Sequence, residues 1–156
     1  MNNVEEVFQT DPIQSLGLPQ PVTIGADASV GAALEAVKQH GMGYILVLDG
    51  GKPAGIMSEQ EVLMRIVARS VDYRDSVSKF ISRNPTTLTE KHRIADAIRL
   101  MNETGDHNIP IVDEAGNAVG VLRTLDIIHF LAEAFPAQVL NLPPEPHQVM
   151  AQPEGG

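Results

Sequence analysis

The sequence predicts an α/β (α+β) fold in which two tandem βαββα units pack with pseudo-twofold symmetry. One observation is that the chain matches itself when Pro21 is aligned with Pro85, with proline, glycine and aspartate recurring in the same order. The other is that apolar residues follow strand spacing and helical spacing in turn within each half. Three short strands are too few to be stable alone, so we expect the two halves to bury their sheets against each other.

The first unit is predicted to contain a strand, a helix, a hairpin and a closing helix. We expect its strands at 22–24, 44–48 and 54–57, and its closing helix at about 59–69. Asp27 or Ser29 provides the N-cap of the first helix, and Gly41 stands where a helix end favours a left-handed residue. Aspartate and glycine between the last two strands predict a tight turn.

The second unit repeats this order. Its strands are expected at 86–88, 108–112 and 118–122, and its closing helix at about 125–134. Thr89 is the predicted cap of the first helix, which ends at Gly105. Between the units, Asp75 is expected to cap a short helix that carries Val77, with a counterpart near 13–16.

These elements divide the chain into four segments. We expect a flexible N-terminus at 1–11, the first repeat at 12–69, a linker helix with the second repeat at 70–135, and an extended proline-rich tail at 136–156.

Composition excludes several functions. The net charge of −9 and the lack of a basic run argue against nucleic acid or an anionic membrane as a partner. The absence of cysteine excludes disulfides, thiol nucleophiles and thiolate metal sites. No leader or bilayer-spanning apolar run is recognisable, so we expect a cytoplasmic protein. Because no acid–base or nucleophile motif is present either, the chain is not expected to be an enzyme.

Two ordered motifs carry a family resemblance. The second repeat has Ile-Pro-Ile-Val-Asp at 109–113 and Gly-Val-Leu-Arg-Thr-Leu-Asp at 120–126, and the first has Ile-Leu-Val-Leu-Asp at 45–49 and Gly-Ile-Met-Ser-Glu-Gln-Glu at 55–61. With the βαββα repeat, they resemble the cystathionine-β-synthase (CBS) domain pair, or Bateman module. The resemblance implies a stand-alone regulatory module that binds AMP, ADP, ATP or S-adenosylmethionine between its repeats and controls an unknown protein.

The family pattern implies a main ligand site in the second repeat. It places a glycine, a hydroxyl residue at a helix start and a ribose-binding aspartate in order, here Gly120, Arg123 and Asp126. Arg123 replaces the hydroxyl residue but can still hold phosphate, and Thr124 then becomes the helix cap. Because no serine or threonine lies three residues before Asp126, we expect a ligand-binding role for it rather than a capping role.

The same resemblance implies which residues of the second repeat meet the adenine and phosphate. The positions are Thr86, His107, Asn108, Ile109 and Pro110. Plain core packing is an equal alternative for Ile109, and Pro110 also suits a position at a sheet edge.

The first repeat is expected to form a second, weaker cleft. Ser58 supplies the hydroxyl, but Glu61 replaces the aspartate, and Ser-x-x-Glu predicts a helix-capping box. Gly55 precedes this motif. The adenine-facing positions would be Val22, Tyr44, Ile45 and Leu46, with core packing the alternative for Ile45.

The remaining expectations concern metals and assembly. No histidine or carboxylate spacing predicts a metal site, so magnesium would arrive only with a nucleotide. Both closing helices carry more apolar residues than one buried face needs, which predicts a homodimer. The alternative function is a ligand-free dimeric scaffold or protein-interaction subunit.

Overall fold

A computed structural model describes residues 3–81 and 84–135. In chain order its elements are α1 (Val4–Thr10), β1 (Thr23–Gly25), α2 (Val30–His40), β2 (Tyr44–Asp49), β3 (Lys52–Ser58), α3 (Glu59–Arg65), β4 (Leu88–Thr89), α4 (Ile94–Thr104), β5 (Asn108–Val112), β6 (Ala118–Arg123) and α5 (Thr124–Ala134). Short 3₁₀ turns lie at Ile13–Leu16, Val67–Arg69 and Val77–Lys79. The expected tail at 136–156 lies outside the described residues.

The strands form two three-stranded sheets with the orders β1-β2-β3 and β4-β5-β6. In each sheet the first strand is parallel to the second, and the last two form an antiparallel hairpin. In this register Tyr44 lies opposite Ser58, and Asn108 lies opposite Arg123. The predicted fold of two mixed α and β units is confirmed.

The cores consist mostly of aliphatic side chains, as the shortage of aromatic residues requires, with Tyr44 as a buried aromatic member. Ile45 and Leu46 are fully buried in the core of the first repeat, and Ile109 is 2% exposed in that of the second. For Ile45 and Ile109 the packing alternative accounts for the side chain, and Leu46 is packed in the same way. Strand β3 contacts β5 of the other repeat, which brings the two units together.

Helix caps differ from two of the expectations. Ser29 caps α2, and its Oγ accepts the Ala32 N–H at 3.1 Å. The N-cap of α4 is Arg93 rather than Thr89, because the Asp96 carboxylate accepts the Arg93 N–H at 2.9 Å from within the first turn. Likewise, Ser76 and not Asp75 caps the Val77–Lys79 turn.

The N-terminal segment is also more ordered than the sequence suggests. Helix α1 packs against α4, and its Val7 is only 6% exposed. The Arg93 guanidinium donates to the carbonyl oxygens of Gln9 and Thr10 at 2.9 and 3.0 Å. The helix at Val4–Thr10 was not predicted from the sequence, because seven residues, about two helical turns, are too few to show clear periodicity.

The closing helix of the first repeat is shorter than predicted. Helix α3 ends at Arg65, and the chain continues through Ile66 into the Val67–Arg69 turn. Ile66 is the C-cap of α3, with φ −112° and ψ −65°, and its backbone N–H still donates to the Val62 carbonyl oxygen. Its side chain is fully buried.

Candidate functional site

Two neighbouring cavities lie between the repeats, with volumes of about 460 and 360 Å³. Both are lined by Ile56, Glu61 and Arg65 of the first repeat and by Asp106 and Asn108 of the second. We call the two cavities together the open cleft. Their size is that of a typical small-molecule site.

The open cleft combines residues that the sequence analysis had assigned to different sites. Thr86, Asn108 and Pro110 line it opposite Glu61, and not beside Asp126. His107 and Ser58 line its other cavity. The structure therefore groups these residues differently from the sequence expectation.

The difference in grouping has a geometric cause. Alignment of the repeats identifies equivalent residues, but it does not show which repeat supplies each wall of a cleft. The contact between β3 and β5 places the end of one hairpin beside the middle strand of the other unit.

Glu61 is accessible within the open cleft. Ser58 caps α3, since its Oγ accepts the Glu61 N–H at 3.2 Å, and its hydroxyl lies 3.4 Å from Glu61 Oε1. The capping prediction for Ser58 is confirmed. Glu61 Oε2 lies 3.6 Å from Arg65 Nη2, and both side chains are 39% exposed. A carboxylate this open retains acceptor capacity for a ligand.

Asp126 has a different environment. Its carboxylate accepts the Arg123 backbone N–H at 2.8 Å and the Arg123 Nη2–H at 2.8 Å. The side chains of Arg123 and Asp126 are 18% and 11% exposed. Asp126 does cap its helix, contrary to the expectation, because a carboxylate in the first turn can accept the N-cap N–H without any serine or threonine. Thr124 is the first residue of α5 and not its cap.

Tyr44 completes a second inter-repeat position. The phenol is 2% exposed, and its oxygen accepts the Val22 N–H at 3.1 Å. Arg123 Nη1 donates to the Met42 carbonyl oxygen at 3.4 Å. Burial raises the pKa of Tyr44, while the Val22 hydrogen bond and the Arg123 charge oppose the rise. We call Val22, Met42, Tyr44, Arg123 and Asp126 the filled cleft.

The two motif glycines lie within the sheets and outside the residues that line the open cleft. Gly55 pairs with Val47 across the first hairpin, and Gly120 pairs with Ile111 across the second. A Cβ on Gly120 would lie 3.4 Å from a Leu18 side-chain carbon. The lack of a Cβ at Gly120 therefore leaves room for the Leu18 side chain.

Sequence reasoning missed three charged residues of the open cleft. They are Arg65, Glu59 and Asp106. Arg65 stands four residues after Glu61 on a helix, and this spacing is a signal for an ion pair. With Glu61, the lining has three carboxylates and one guanidinium, so the open cleft is acidic.

No helix among residues 3–81 and 84–135 is long and apolar enough to cross a membrane. In those ranges, no group of three or more histidine, aspartate and glutamate residues is arranged to hold a metal ion.

Curated proteins from several organisms share this sequence pattern. The chain is 30% identical over 104 residues to the meiotically up-regulated gene 70 protein of Schizosaccharomyces pombe, covering 66% of this chain and 14% of that protein. It is 27% identical over 108 residues to the CBS domain-containing protein YhcV of Bacillus subtilis, and the match covers 69% of this chain and 76% of that protein. The chain also spans 48% of an uncharacterized Methanopyrus kandleri relative.

Solved structures share the fold. A CBS domain protein of Pyrobaculum aerophilum, complexed with AMP, has a TM-score of 0.69 at 20% identity, covering 78% of this chain and 98% of that one. The CBS domain pair of protein MJ0100, in complex with 5′-methylthioadenosine and S-adenosyl-L-methionine, has a TM-score of 0.68 at 19% identity. The match covers 77% of this chain and 98% of that one.

The sequence profile of the CBS domain matches this chain twice, over residues 4–68 and 77–133. The two matches coincide with the two βαββα units, and the solved relatives have the same arrangement. The chain belongs to the CBS domain family and contains a pair of these domains.

Proposed function

We propose that this CBS domain pair is a regulatory module, not an enzyme, and that it binds an adenosine-containing ligand in the open cleft. The observation that carries the proposal is the shared wall formed by Glu61 of one repeat and Thr86, Asn108 and Pro110 of the other. The AMP and S-adenosyl-L-methionine complexes of structural relatives support this class of ligand.

Each wall residue has a chemical role in this proposal. The half-exposed Glu61 carboxylate accepts hydrogen bonds from the ribose hydroxyls. Ile56 and Pro110 cover the faces of the adenine, while the amide of Asn108 and the backbone beside it read its edge. Because the walls come from both repeats, ligand binding stabilises one arrangement of the two units over others.

The charge of the open cleft favours some adenosine ligands over others. Three carboxylates and the Arg65 guanidinium line it, so a triphosphate meets net repulsion unless magnesium accompanies it. S-adenosylmethionine, with its sulfonium and ammonium groups, has the complementary charge. We infer the preference S-adenosylmethionine over AMP, and AMP over ATP.

The regulatory signal is proposed to pass through a homodimer. Helix α3 exposes 55% of Leu63 and 60% of Met64, and α5 exposes 45% of Leu125 and 50% of Ile128. Apolar side chains on the closing helix of both repeats give a surface that a second copy can cover by two-fold symmetry. Ligand-dependent movement of the repeats then changes this interface or the surface offered to a regulated protein.

A ligand-free dimeric scaffold is the second candidate function. The filled cleft favours it, because Arg123 pairs with Asp126 there and the Tyr44 oxygen accepts the Val22 N–H. The ultraviolet spectrum of purified protein separates the candidates. The chain has two tyrosines and no tryptophan, so bound adenine would dominate the absorbance near 260 nm.

Melting curves with AMP, ADP, ATP and S-adenosylmethionine test the proposed function. A ligand present at about 100 times its dissociation constant adds about 2.7 kcal/mol to the stability of the folded state. We expect a raised melting temperature with S-adenosylmethionine or AMP. No shift with any of the four, together with an adenine-free spectrum, would establish the scaffold instead.

A further inference from the structure

We propose that each chain takes up a single ligand because its own side chains occupy the second inter-repeat position. In the filled cleft, the Arg123 guanidinium and the Tyr44 phenol stand where the open cleft leaves space. This inference rests on the proposed function, since it concerns the number of adenosine ligands bound. It assigns Arg123 and Tyr44 as the residues that set that number.

The hairpin registers show that the two clefts are built from equivalent positions. Tyr44 lies opposite Ser58 across the first hairpin, and Asn108 lies opposite Arg123 across the second. The open cleft takes Asn108 from one hairpin and Ser58 from the other. The filled cleft takes the corresponding Tyr44 and Arg123. Two large side chains therefore replace two small ones.

The polar groups that a ligand would need in the filled cleft already have partners. The Val22 N–H donates to the Tyr44 oxygen at 3.1 Å, and both oxygens of Asp126 accept hydrogen bonds from Arg123. The Met42 carbonyl oxygen accepts from the same guanidinium at 3.4 Å. A ribose or adenine would have to break these bonds before making its own.

Burial makes the closed arrangement costly to open. The side chains of Arg123 and Asp126 are 18% and 11% exposed, against 39% for both Glu61 and Arg65 in the open cleft. Separating a part-buried ion pair leaves uncompensated charge in a less solvated position. The Glu61–Arg65 pair of the open cleft is more exposed, so its separation costs less and the ligand binds at Glu61.

Exchange of the two large residues for their counterparts tests this inference. The double variant Tyr44→Asn/Arg123→Ser gives the filled cleft the residue types of the open one, and Asp126 is already present. Calorimetric titration with S-adenosylmethionine and with AMP should give one ligand per chain for the wild type and two for the variant. Melting curves establish that the variant is folded.

Arg93→Ser is the matched control. Arg93 precedes Asp96 as Arg123 precedes Asp126, and the Asp96 carboxylate accepts the Arg93 N–H in the same way. Arg93 is exposed and contacts α1 instead of the clefts. Its replacement should leave the number of bound ligands at one.

The outcomes separate this inference from the proposed function. Two ligands per wild-type chain, or one for a folded double variant, would overturn it. A wild type that binds no ligand refutes the proposed function. If the double variant then binds one ligand, closure of the filled cleft by Arg123 and Tyr44 is still supported. If the folded double variant also binds none, closure by these residues is overturned.

If the double variant does not fold, a second variant tests whether a guanidinium at this position closes a cleft to the ligand. Ser58→Arg introduces a guanidinium at the equivalent position of the open cleft, three residues before Glu61. We expect the folded protein to lose at least tenfold in affinity. Undiminished binding would contradict closure by a guanidinium at this position.

Discussion

The hydroxyl of Tyr44 accepts a hydrogen bond of 3.1 Å from the backbone N–H of Val22, deep in the core of the first repeat. Tyr44 begins β2, and Val22 directly precedes β1, the parallel neighbour of β2. The bond satisfies both a buried phenol and a backbone donor that is largely removed from water. The bond therefore fixes the chain just before β1 against the Tyr44 side chain of the filled cleft.

Tyr44→Phe is expected to destabilise the protein by about 1–3 kcal/mol, because the Val22 N–H is left buried without an acceptor. Urea unfolding measures the change. Tyr73→Phe is the matched control, since Tyr73 is 49% exposed, and its free energy of unfolding should change by less than about 0.5 kcal/mol. Equal stability of the two variants would show that the buried bond contributes nothing.

Alkaline unfolding is expected to depend on the same phenol. Burial raises the pKa of Tyr44 above its usual value of about 10, so the folded state keeps a proton that the unfolded state has released. The stabilisation is fully present below about pH 10 and is lost as pH rises through the folded-state pKa. Stability measured from pH 8 to 11 should therefore fall less steeply for Tyr44→Phe than for the wild type. Parallel curves would contradict the assignment.

The exposed apolar residues of α3 and α5 predict how the dimer is disrupted. Met64→Glu places a charge on a side chain that is 60% exposed, so the monomer should fold normally while its association is weakened. Light scattering at micromolar concentration should give a dimer mass for the wild type and a monomer mass for the variant. Tyr73→Glu, at an exposed position between the repeats, should remain dimeric. A monomeric wild type would refute the dimer.

Salt should change ligand affinity in opposite directions for ligands of opposite charge. Screening weakens the attraction of S-adenosylmethionine to the carboxylates of the open cleft and weakens the repulsion of ATP. Raising sodium chloride from 50 to 500 mM should therefore lower the affinity for the first and raise it for the second. Titrations without magnesium measure this effect. The same trend for both ligands would exclude an electrostatic origin of the preference.

The fold was predictable from the sequence because each strand and helix of the unit is indicated in both repeats. The strand β5 has the predicted limits, and β2, β3 and β6 differ by only one or two residues at their ends. Caps were less predictable, since Arg93 and Arg123 occupy N-cap positions that serine, threonine or aspartate usually take. In both cases an aspartate three residues later accepts the backbone N–H of the N-cap arginine. A search for serine, threonine, aspartate or asparagine at the N-cap position does not find such a cap.

The grouping of the site residues was not predictable, because it depends on how the units pack and not on their internal pattern. Each motif was assigned to its own repeat, whereas Thr86 and Asn108 lie beside Glu61. Without knowledge of how the units pack, the sequence also ranks Asp126 above Glu61 as the ribose acceptor, whereas the structure favours Glu61. Sequence alone favours Asp126 as the ribose acceptor, but its two oxygens are held by Arg123.

The central claim is that Glu61, and not Asp126, binds the ribose. Glu61→Ala removes a charged acceptor whose hydrogen bonds contribute about 1.5–3 kcal/mol, which corresponds to roughly ten- to a hundredfold in affinity. Its folding stability should change little, because Glu61 is 39% exposed. Asp126→Ala should instead destabilise the protein, since it leaves the part-buried Arg123 guanidinium without its carboxylate partner.

Calorimetric titration of these two variants with S-adenosylmethionine and AMP, at a temperature where melting curves show both to be folded, tests this claim most directly. We expect a loss of at least tenfold in affinity for Glu61→Ala and less than threefold for Asp126→Ala. Wild-type affinity in Glu61→Ala combined with lost binding in Asp126→Ala would contradict it.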